Sequence, residues 1–270
     1  MDQYAVMGNP IKHSKSPLIH REFAHQTNQE LNYQALLVAE DGFVNAVSEF
    51  KQAGGRGLNI TVPFKQQAHD LVEELSERAR RAKAVNTIII KSDGSLKGEN
   101  TDGVGLVRDI INNHDGRLAN STVLLVGAGG AVRGVLEPIL KENPIKIVIA
   151  NRTFEKAHHL AEEFSDLGKV EALPFSKLGN ESFDWIINGT SASLQGDLPP
   201  LHSGILNQYT RCYDMMYGQD MTPFNQWALE NGAAAAFDGL GMLVEQAAES
   251  FRLWRGVMPL TGPVIKKLRK

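Results

Sequence analysis

Residues 122–134 read TVLLVGAGGAVRG, an apolar run that stops at a glycine turn. The run predicts a buried strand, and the turn predicts the start of a helix directly after it. A helix N-terminus behind a glycine turn offers free backbone N–H groups and the positive end of the helix dipole, which suit a pyrophosphate. The turn therefore predicts a dinucleotide site, with a plain strand–helix connection as the alternative.

The end of the next apolar run narrows the choice of dinucleotide. In such folds an acidic residue at this place binds the ribose 2′-hydroxyl of NAD. Here Ile145–Ala150 is followed by Arg152, which suits a 2′-phosphate, and Lys156 lies about one helical turn farther on. The pattern favours NADP, with a solvated surface arginine as the alternative. Val132 stands where the glycine fingerprint has a small residue, which leaves the close packing of helix on strand in question.

The composition excludes several classes of protein. The chain has 270 residues, 42% of them hydrophobic and 22% charged, and a formal net charge of −3. Nucleic acid and anionic membranes are therefore not expected as partners, and no apolar run approaches the ~20 residues of a membrane span. A single cysteine, Cys212, cannot form an internal disulfide, and the first residues do not resemble a secretion signal. We expect a cytoplasmic protein.

Short apolar runs alternate with helical patterns along the whole chain, which implies an α/β fold. The predicted strands are Tyr4–Met7, Tyr33–Val38, Leu58–Val62, Val85–Ile90, Lys146–Ala150, Asp184–Asn188, Cys212–Asp214 and Ala233–Phe237. Helix starts are predicted at Ser16, as the N-cap before Pro17, and at Asp41. Since the glycine turn begins only near residue 127, about the first hundred residues form a part other than the dinucleotide domain.

Polar residues in otherwise apolar runs of the first half are candidates for chemistry. They are Asn59 and Thr61, Asn86 with Thr87, and the stretch Asn100–Gly103. Polar side chains at strand ends of an open α/β sheet face the ligand crevice. A hydride transfer needs such groups, because a proton must be moved and the substrate must be fixed beside the cofactor.

Five motifs, in order along the chain, resemble the shikimate dehydrogenase family. They are His13-Ser14-Lys15-Ser16-Pro17, Asn59-Ile-Thr61-Val-Pro-Phe-Lys65, Ala84-Val-Asn86-Thr87, Asn100-Thr101-Asp102-Gly103 and Asp238-Gly-Leu-Gly-Met-Leu. The resemblance runs from Met1 to about Lys270. It implies reduction of the C3 ketone of 3-dehydroshikimate to shikimate with NADPH. It also implies an open α/β substrate domain (1–101 plus 240–270), a Rossmann-type NADP domain (102–239), and C-terminal helices that return to the substrate domain.

The resemblance implies that Lys65 and Asp102 are the catalytic pair. An ammonium beside the ketone can polarise it and donate the proton, and such general acid catalysis contributes roughly 10²–10⁴ in rate. From the residues alone, an exposed helix lysine and a helix N-cap aspartate are the alternatives. The substrate-binding residues so implied are Ser14, Ser16, Thr61, Lys65, Asn86, Asp102, Tyr217 and Gln246.

On the cofactor side the resemblance implies a second set of residues and no metal. The set is Gly127, Ala128, Gly129, Gly130, Ala131, Asn151, Arg152, Thr153, Lys156, Met215 and Gly239. Family members often have a second arginine where this chain has Lys156. The loop 188–193 matches the family's Asn-x-Thr-Ser loop, with Gly189 where alanine is common. Two interpretations of this loop are open: its backbone contacts the cofactor, or it is an ordinary connecting loop.

Two other functions compete with an NADP-dependent shikimate dehydrogenase acting on a small-molecule substrate. A quinate/shikimate dehydrogenase with relaxed use of NAD and NADP is one, and Arg152 argues against it. A non-enzymatic NADP-binding regulator on the same fold is the other, and the presence of both Lys65 and Asp102 argues against that. The sequence leaves monomer and homodimer open.

Overall fold

The computed structural model describes residues 1–179 and 181–270 and divides into two compact units. The first unit contains Met1–Gly105 and Val244–Lys270, and the second contains Leu106–Leu243. Each unit has its own six-stranded sheet with helices along the same stretch of chain. The predicted α/β class is therefore confirmed.

The sheet of the first unit is mixed. Its strands are β1 (Asp2–Gly8), β2 (Leu31–Leu37), β3 (Gly55–Ile60), β4 (Glu74–Leu75), β5 (Thr87–Ile90) and β6 (Leu96–Glu99). Its helices are α1 (Ser16–Gln26), α2 (Phe43–Gln52), α3 (Lys65–Leu71), α4 (Glu77–Ala82) and α10 (Gly262–Leu268), while α5 (Asp102–Arg108) and α9 (Leu240–Arg255) cross the unit boundary. The strand order is β2-β1-β3-β5-β6-β4, and β5 runs antiparallel to both of its neighbours.

Aromatic packing fixes where α3 begins. Phe43 and Phe50 face the core from α2, with Val47 between them, as the helical spacing predicts. The ring of Phe64 is fully buried and stacks on Phe43 with 4.9 Å between the ring centroids. Phe64 directly precedes α3, so this contact holds the first residue of that helix, Lys65, close behind the end of β3.

The second unit has a fully parallel sheet. Its strands are β7 (Thr122–Val126), β8 (Lys146–Ala150), β9 (Val170–Leu173), β10 (Trp185–Asn188), β11 (Arg211–Asp214) and β12 (Ala235–Asp238). Its helices are α6 (Gly130–Lys141), α7 (Phe154–Glu163) and α8 (Pro223–Glu230). The strand order is β12-β11-β10-β7-β8-β9, so the chain changes direction across the sheet between β7 and β10. In open parallel sheets, ligands bind beyond the strand ends at this switch point.

Two predicted helix caps are wrong. Lys15, not Ser16, is the N-cap of α1, and no side chain caps that helix. Gly42, not Asp41, precedes α2, and no side chain caps that helix either. Thr153 precedes α7, but its hydroxyl makes no capping bond.

Three smaller features complete the fold. The hairpin between β5 and β6 turns at Asp93-Gly94, and β6 is not among the predicted strands. Cys212 is buried in β11. Within residues 1–179 and 181–270, no helix is long and apolar enough to cross a membrane.

Candidate active site

The first unit brings Lys65 and Asp102 into direct contact. Each is the first residue of its helix, α3 and α5. Lys65 Nζ lies 2.6 Å from Asp102 Oδ2, and the two side chains are 32% and 19% exposed. A charged pair that is shielded but still reachable can act on a bound molecule, whereas a fully exposed pair contributes little.

Asn86 holds the other oxygen of Asp102. Its Nδ2 donates to Asp102 Oδ1 at 2.8 Å and also lies 2.9 Å from Thr101 Oγ1 and 3.3 Å from Gln246 Oε1. Its Oδ1 accepts hydrogen bonds from Thr101 N at 2.9 Å and from Thr87 Oγ1 at 3.0 Å. Both carboxylate oxygens of Asp102 are therefore oriented, one by the lysine and one by an amide that is itself fixed.

A buried side chain, Asn59, extends these hydrogen bonds to Tyr33 of β2 and to His20 of α1. Its Oδ1 accepts from the Tyr33 hydroxyl at 2.7 Å and lies 3.2 Å from His20 Nε2. Its Nδ2 approaches Asn86 O, Thr87 Oγ1 and Ser250 Oγ, at 3.1–3.2 Å. Hydrogen bonds therefore run from Tyr33 and His20 through Asn59 to Thr87 and to the backbone of Asn86.

His20 is the one histidine in this network, and it is neutral. Its ring is fully buried and stacks on Tyr33 with 4.1 Å between centroids. Burial lowers the pKa of His20 to about 3, although the hydrogen bond to Asn59 opposes the shift. Burial likewise raises the pKa of Tyr33 well above its usual value. Both rings therefore act here as neutral hydrogen-bonding groups at physiological pH.

Three predicted substrate residues, Ser14, Ser16 and Thr61, are not hydrogen-bonded to the Lys65–Asp102 pair in the described part of the chain. Ser14 Oγ accepts a hydrogen bond from Ser16 N at 3.3 Å, so both serines share the entry to α1. Thr61 follows β3, where its N–H donates to Met7 O of the neighbouring strand. Gln246, by contrast, accepts from Asn86 and from Thr101 at 3.3 Å and belongs to the cluster around Asp102.

The glycine turn of the second unit has the shape that a pyrophosphate needs. Gly127 has a φ of +109°, a conformation that side chains disfavour. Gly129 and Gly130 are exposed, with open space where a Cβ would point. Ala128 is partly exposed, and Ala131 lies exposed in the first turn of α6. The turn therefore fits a dinucleotide phosphate.

Two cations follow β8 with no acidic partner. Arg152 and Lys156 are both exposed, and no carboxylate in the described part of the chain lies within salt-bridge distance of either. Asn151 Nδ2 donates to Thr153 O at 2.8 Å, which shapes the turn between β8 and α7. Unpaired cations at this place fit the extra phosphate that distinguishes NADP from NAD.

Met215, Tyr217 and Gly239 follow two neighbouring strands of the same unit. Met215 is nearly fully buried directly after β11, and Gly239 directly follows β12. Gly239 N donates to Met216 O at 3.1 Å, which joins the two strand ends. Burial raises the pKa of Tyr217, so its hydroxyl is neutral. The arrangement forms a partly apolar wall at the carboxyl edge of the sheet.

Sequence reasoning missed three members of the buried network: His20, Tyr33 and Ser250. Each lies on an amphipathic or alternating pattern that is typical of ordinary core. The signal that could have found them is a polar side chain at an otherwise apolar position, as with Asn59 in β3. Their partners, however, lie 26 to 191 residues away in the sequence.

Three family models match the chain: the shikimate dehydrogenase substrate binding domain (residues 6–88), shikimate / quinate 5-dehydrogenase (109–195) and the shikimate 5'-dehydrogenase C-terminal domain (239–269). The shikimate dehydrogenase (NADP(+)) of Cellvibrio japonicus is 56% identical over 269 residues, covering 100% of this chain and 97% of the relative.

Solved structures agree with this likeness. An Ael1 enzyme from Pseudomonas putida is 48% identical with a TM-score of 0.96, and the match covers 100% of this chain and 99% of that one. The shikimate 5-dehydrogenase of Thermus thermophilus, solved in complex with NADP(H) and shikimate, is 31% identical with a TM-score of 0.88 and the same coverage.

Proposed function

We propose that this chain, which belongs to the shikimate dehydrogenase family, catalyses the reversible reduction of 3-dehydroshikimate to shikimate with NADPH. The observation that supports this activity best is the contact of 2.6 Å between Lys65 Nζ and Asp102 Oδ2. An ammonium held by a carboxylate, on a scaffold with an NADP-type turn, is what ketone reduction requires.

Lys65 is the proton donor of the proposed reaction. Its Nζ donates a hydrogen bond to the C3 ketone oxygen, polarises the carbonyl and transfers a proton to that oxygen as it becomes a hydroxyl. Asp102 holds Nζ in place from the other side, and Asn86 keeps the carboxylate from rotating. In the reverse direction, the neutral amine of Lys65 removes the hydroxyl proton.

The remaining polar groups bind the substrate's carboxylate and hydroxyls. Ser14 and Ser16, at the start of α1, suit the carboxylate, because hydroxyls and a helix N-terminus attract anions. Thr61, Asn86 and Gln246 suit the ring hydroxyls, and Tyr217 is a further residue proposed to bind the substrate. A site built for hydroxyls rejects analogues that lack them, because its own polar groups would be left unpaired.

The second unit holds the cofactor, which when bound supplies the hydride. The backbone of Gly127–Ala131 takes the pyrophosphate, and Arg152 with Lys156 takes the 2′-phosphate, flanked by Asn151 and Thr153. Met215 and Gly239 line the nicotinamide. The exposure of both cations and their lack of an acidic partner in the described chain support this division.

The domain roles follow the same division. Residues 1–101 with 240–270 form the substrate domain, and residues 102–239 form the NADP domain. The substrate-domain model, which matches residues 6–88, supports the first assignment. The parallel sheet with its switch point between β7 and β10 supports the second.

The enzyme works on a small soluble acid in the cytoplasm, as a monomer or a homodimer. The buried Cys212, the only cysteine of the chain, supports a reducing compartment. Sedimentation of the purified protein distinguishes the two oligomeric states.

Steady-state oxidation of shikimate and of quinate, each with NADP and with NAD, tests the function. We expect shikimate with NADP to give the highest kcat/KM of the four combinations. Efficient turnover of quinate with NAD would favour the quinate/shikimate alternative. Binding of NADPH without turnover of either acid would favour the non-enzymatic regulator.

A further inference from the structure

The buried carboxylate of Asp214 has no part in the reaction described so far. Asp214 is the last residue of β11, and its side chain is inaccessible to solvent. Oδ1 accepts from Met216 N at 3.0 Å and from Asn188 Nδ2 at 3.1 Å. Oδ2 accepts from Ser193 Oγ at 2.6 Å. Three donors, none of them charged, surround one buried carboxylate.

One set of these contacts leads to the glycine turn. Asn188 Oδ1 accepts from Thr190 N at 3.1 Å and from Thr190 Oγ1 at 2.8 Å. The Thr190 methyl lies only 3.1 Å from the point where a Cβ on Gly127 would be. Two side chains therefore connect Asp214 to the turn proposed to hold the pyrophosphate.

The other contacts fix the wall around Met215. The bond to Met216 N holds the chain directly after Met215, and the bond to Ser193 holds the helical turn Ala192–Gln195. Gly189 belongs to the same loop as Ser193 and lies against Met215, because a Cβ on Gly189 would be 3.4 Å from Met215 Sδ. The loop 188–193 and the end of β11 are thus held by the same side chain, that of Asp214.

Burying a carboxylate costs free energy of desolvation, and the last residue of a strand does not need a charged side chain. Burial raises the pKa of Asp214, and the surrounding hydrogen bonds only partly oppose that shift. An apolar side chain of similar size would avoid this desolvation. The carboxylate, in return, accepts hydrogen bonds from two segments of the chain at once, the loop 188–193 and the residues after Met215.

We propose that Asp214 is a positioning residue for the nicotinamide half of the cofactor. Its carboxylate holds the loop 188–193 and the segment Met215–Met216 in the arrangement that this half needs, an inference that rests on the proposed function. The adenosine half depends instead on Arg152 and Lys156, which follow β8 rather than β11.

Two ligands separate the two halves. Calorimetric titration with NADPH measures the whole cofactor, and titration with adenosine 2′-monophosphate, which has no 5′-phosphate to reach the glycine turn, measures the adenosine half. Asp214→Ala should raise the Kd for NADPH about tenfold or more, because it leaves buried donors unpaired, and should change the Kd for the monophosphate less than about twofold. Asp214→Asn should restore most of the NADPH affinity, because its amide can both accept from Met216 N and donate to Ser193.

Thr210→Val is the matched control. Thr210 directly precedes β11, is as buried as Asp214, and donates to Phe183 O at 2.7 Å. Loss of this hydrogen bond should lower the melting temperature of the protein and leave both Kd values unchanged. If Asp214→Ala does not fold, Ser193→Ala, in the partly exposed loop, should still weaken NADPH alone.

Equal weakening of both ligands by Asp214→Ala, or no weakening of either, would overturn the inference. Failure of the unmutated chain to bind either ligand would overturn the proposed function and the inference with it. That outcome is recognisable because it needs no variant.

Discussion

Val132 stands where the glycine fingerprint has a small residue, and Gly189 packs directly against it. Replacing Gly189 by alanine tests whether this glycine makes the room that the valine needs. A Cβ at Gly189 would lie 2.5 Å from Val132 Cγ2, whereas ordinary contacts begin at 3.4 Å, so the neighbours would have to separate by about 0.9 Å. Val132 is fully buried in the second unit's core and cannot move freely. Overpacking of this kind costs about 1–3 kcal/mol. The backbone adds no penalty, because Gly189 is not among the residues with positive φ.

Shortening Val132 should remove this conflict. Val132→Ala alone loses about 2 kcal/mol, from two buried methyl groups and the space they leave. If the two positions compensate each other, the Val132→Ala/Gly189→Ala double variant should lose about 2 kcal/mol rather than the sum of about 4. Urea unfolding followed by tryptophan fluorescence measures all three. Gly262→Ala, at a site with open space around the added methyl, should lose nothing.

Cofactor affinity provides a second measure of the same pair. The added methyl would also touch Met215, so Gly189→Ala should raise the Kd for NADPH, and the double variant should recover part of it. Strictly additive free energies of unfolding would refute the steric coupling. Gly189 would then be required for a reason other than Val132.

The remaining predictions concern the phosphate site and the buried network. Arg152→Ala should raise the KM for NADP about tenfold to a hundredfold and leave the KM for NAD nearly unchanged; equal effects would refute the 2′-phosphate role. His20 stays neutral in the folded protein down to about pH 3, whereas in the unfolded chain it gains a proton below pH 6.5. Stability from His20 is therefore complete above pH 6.5 and is lost as the pH falls, by about 2 kcal/mol at pH 5, and urea unfolding of His20→Phe should lack this part of the pH dependence. Arg78→Met should cost about 3–5 kcal/mol, because Arg78 pairs with the buried Glu99 at 2.9 Å, and adding Glu99→Gln should recover part of it in thermal unfolding.

Periodicity predicted nine of the twelve strands in the described residues, because those runs are apolar enough to stand out from their surroundings. It missed β4, β6 and β9, which are short and mix polar with apolar residues. The prediction for β8, Lys146–Ala150, agrees with the structure residue for residue. The predicted strand starting at Val85 begins two residues later, at Thr87, and Asn86 directs its side chain to Asp102. Local pattern carries no information on that contact.

The sequence identified Asn59, Asn86 and Gln246 of the hydrogen-bond network, but not His20, Tyr33 and Ser250, which bond to Asn59. Lys65 and Asp102 could be paired only by their motifs, since 37 residues separate them. The role of Asp214 was not foreseen, because an aspartate at the end of an apolar run is typical of a solvated strand end. Only the fold brings Ser193 and Asn188 onto its carboxylate.

The kcat of the Lys65→Met variant tests most directly the central claim, that Lys65 is the proton donor. Methionine keeps the length of the side chain and removes the ammonium that lies 2.6 Å from Asp102. Oxidation of shikimate by NADP should slow about 10²–10⁴-fold in kcat, with the KM for shikimate and the Kd for NADPH within a few-fold of the unmutated values. Gln66→Met, an exposed neighbour on α3, serves as the control and should leave kcat unchanged. A Lys65→Met enzyme that turns over at the unmutated rate would contradict the account.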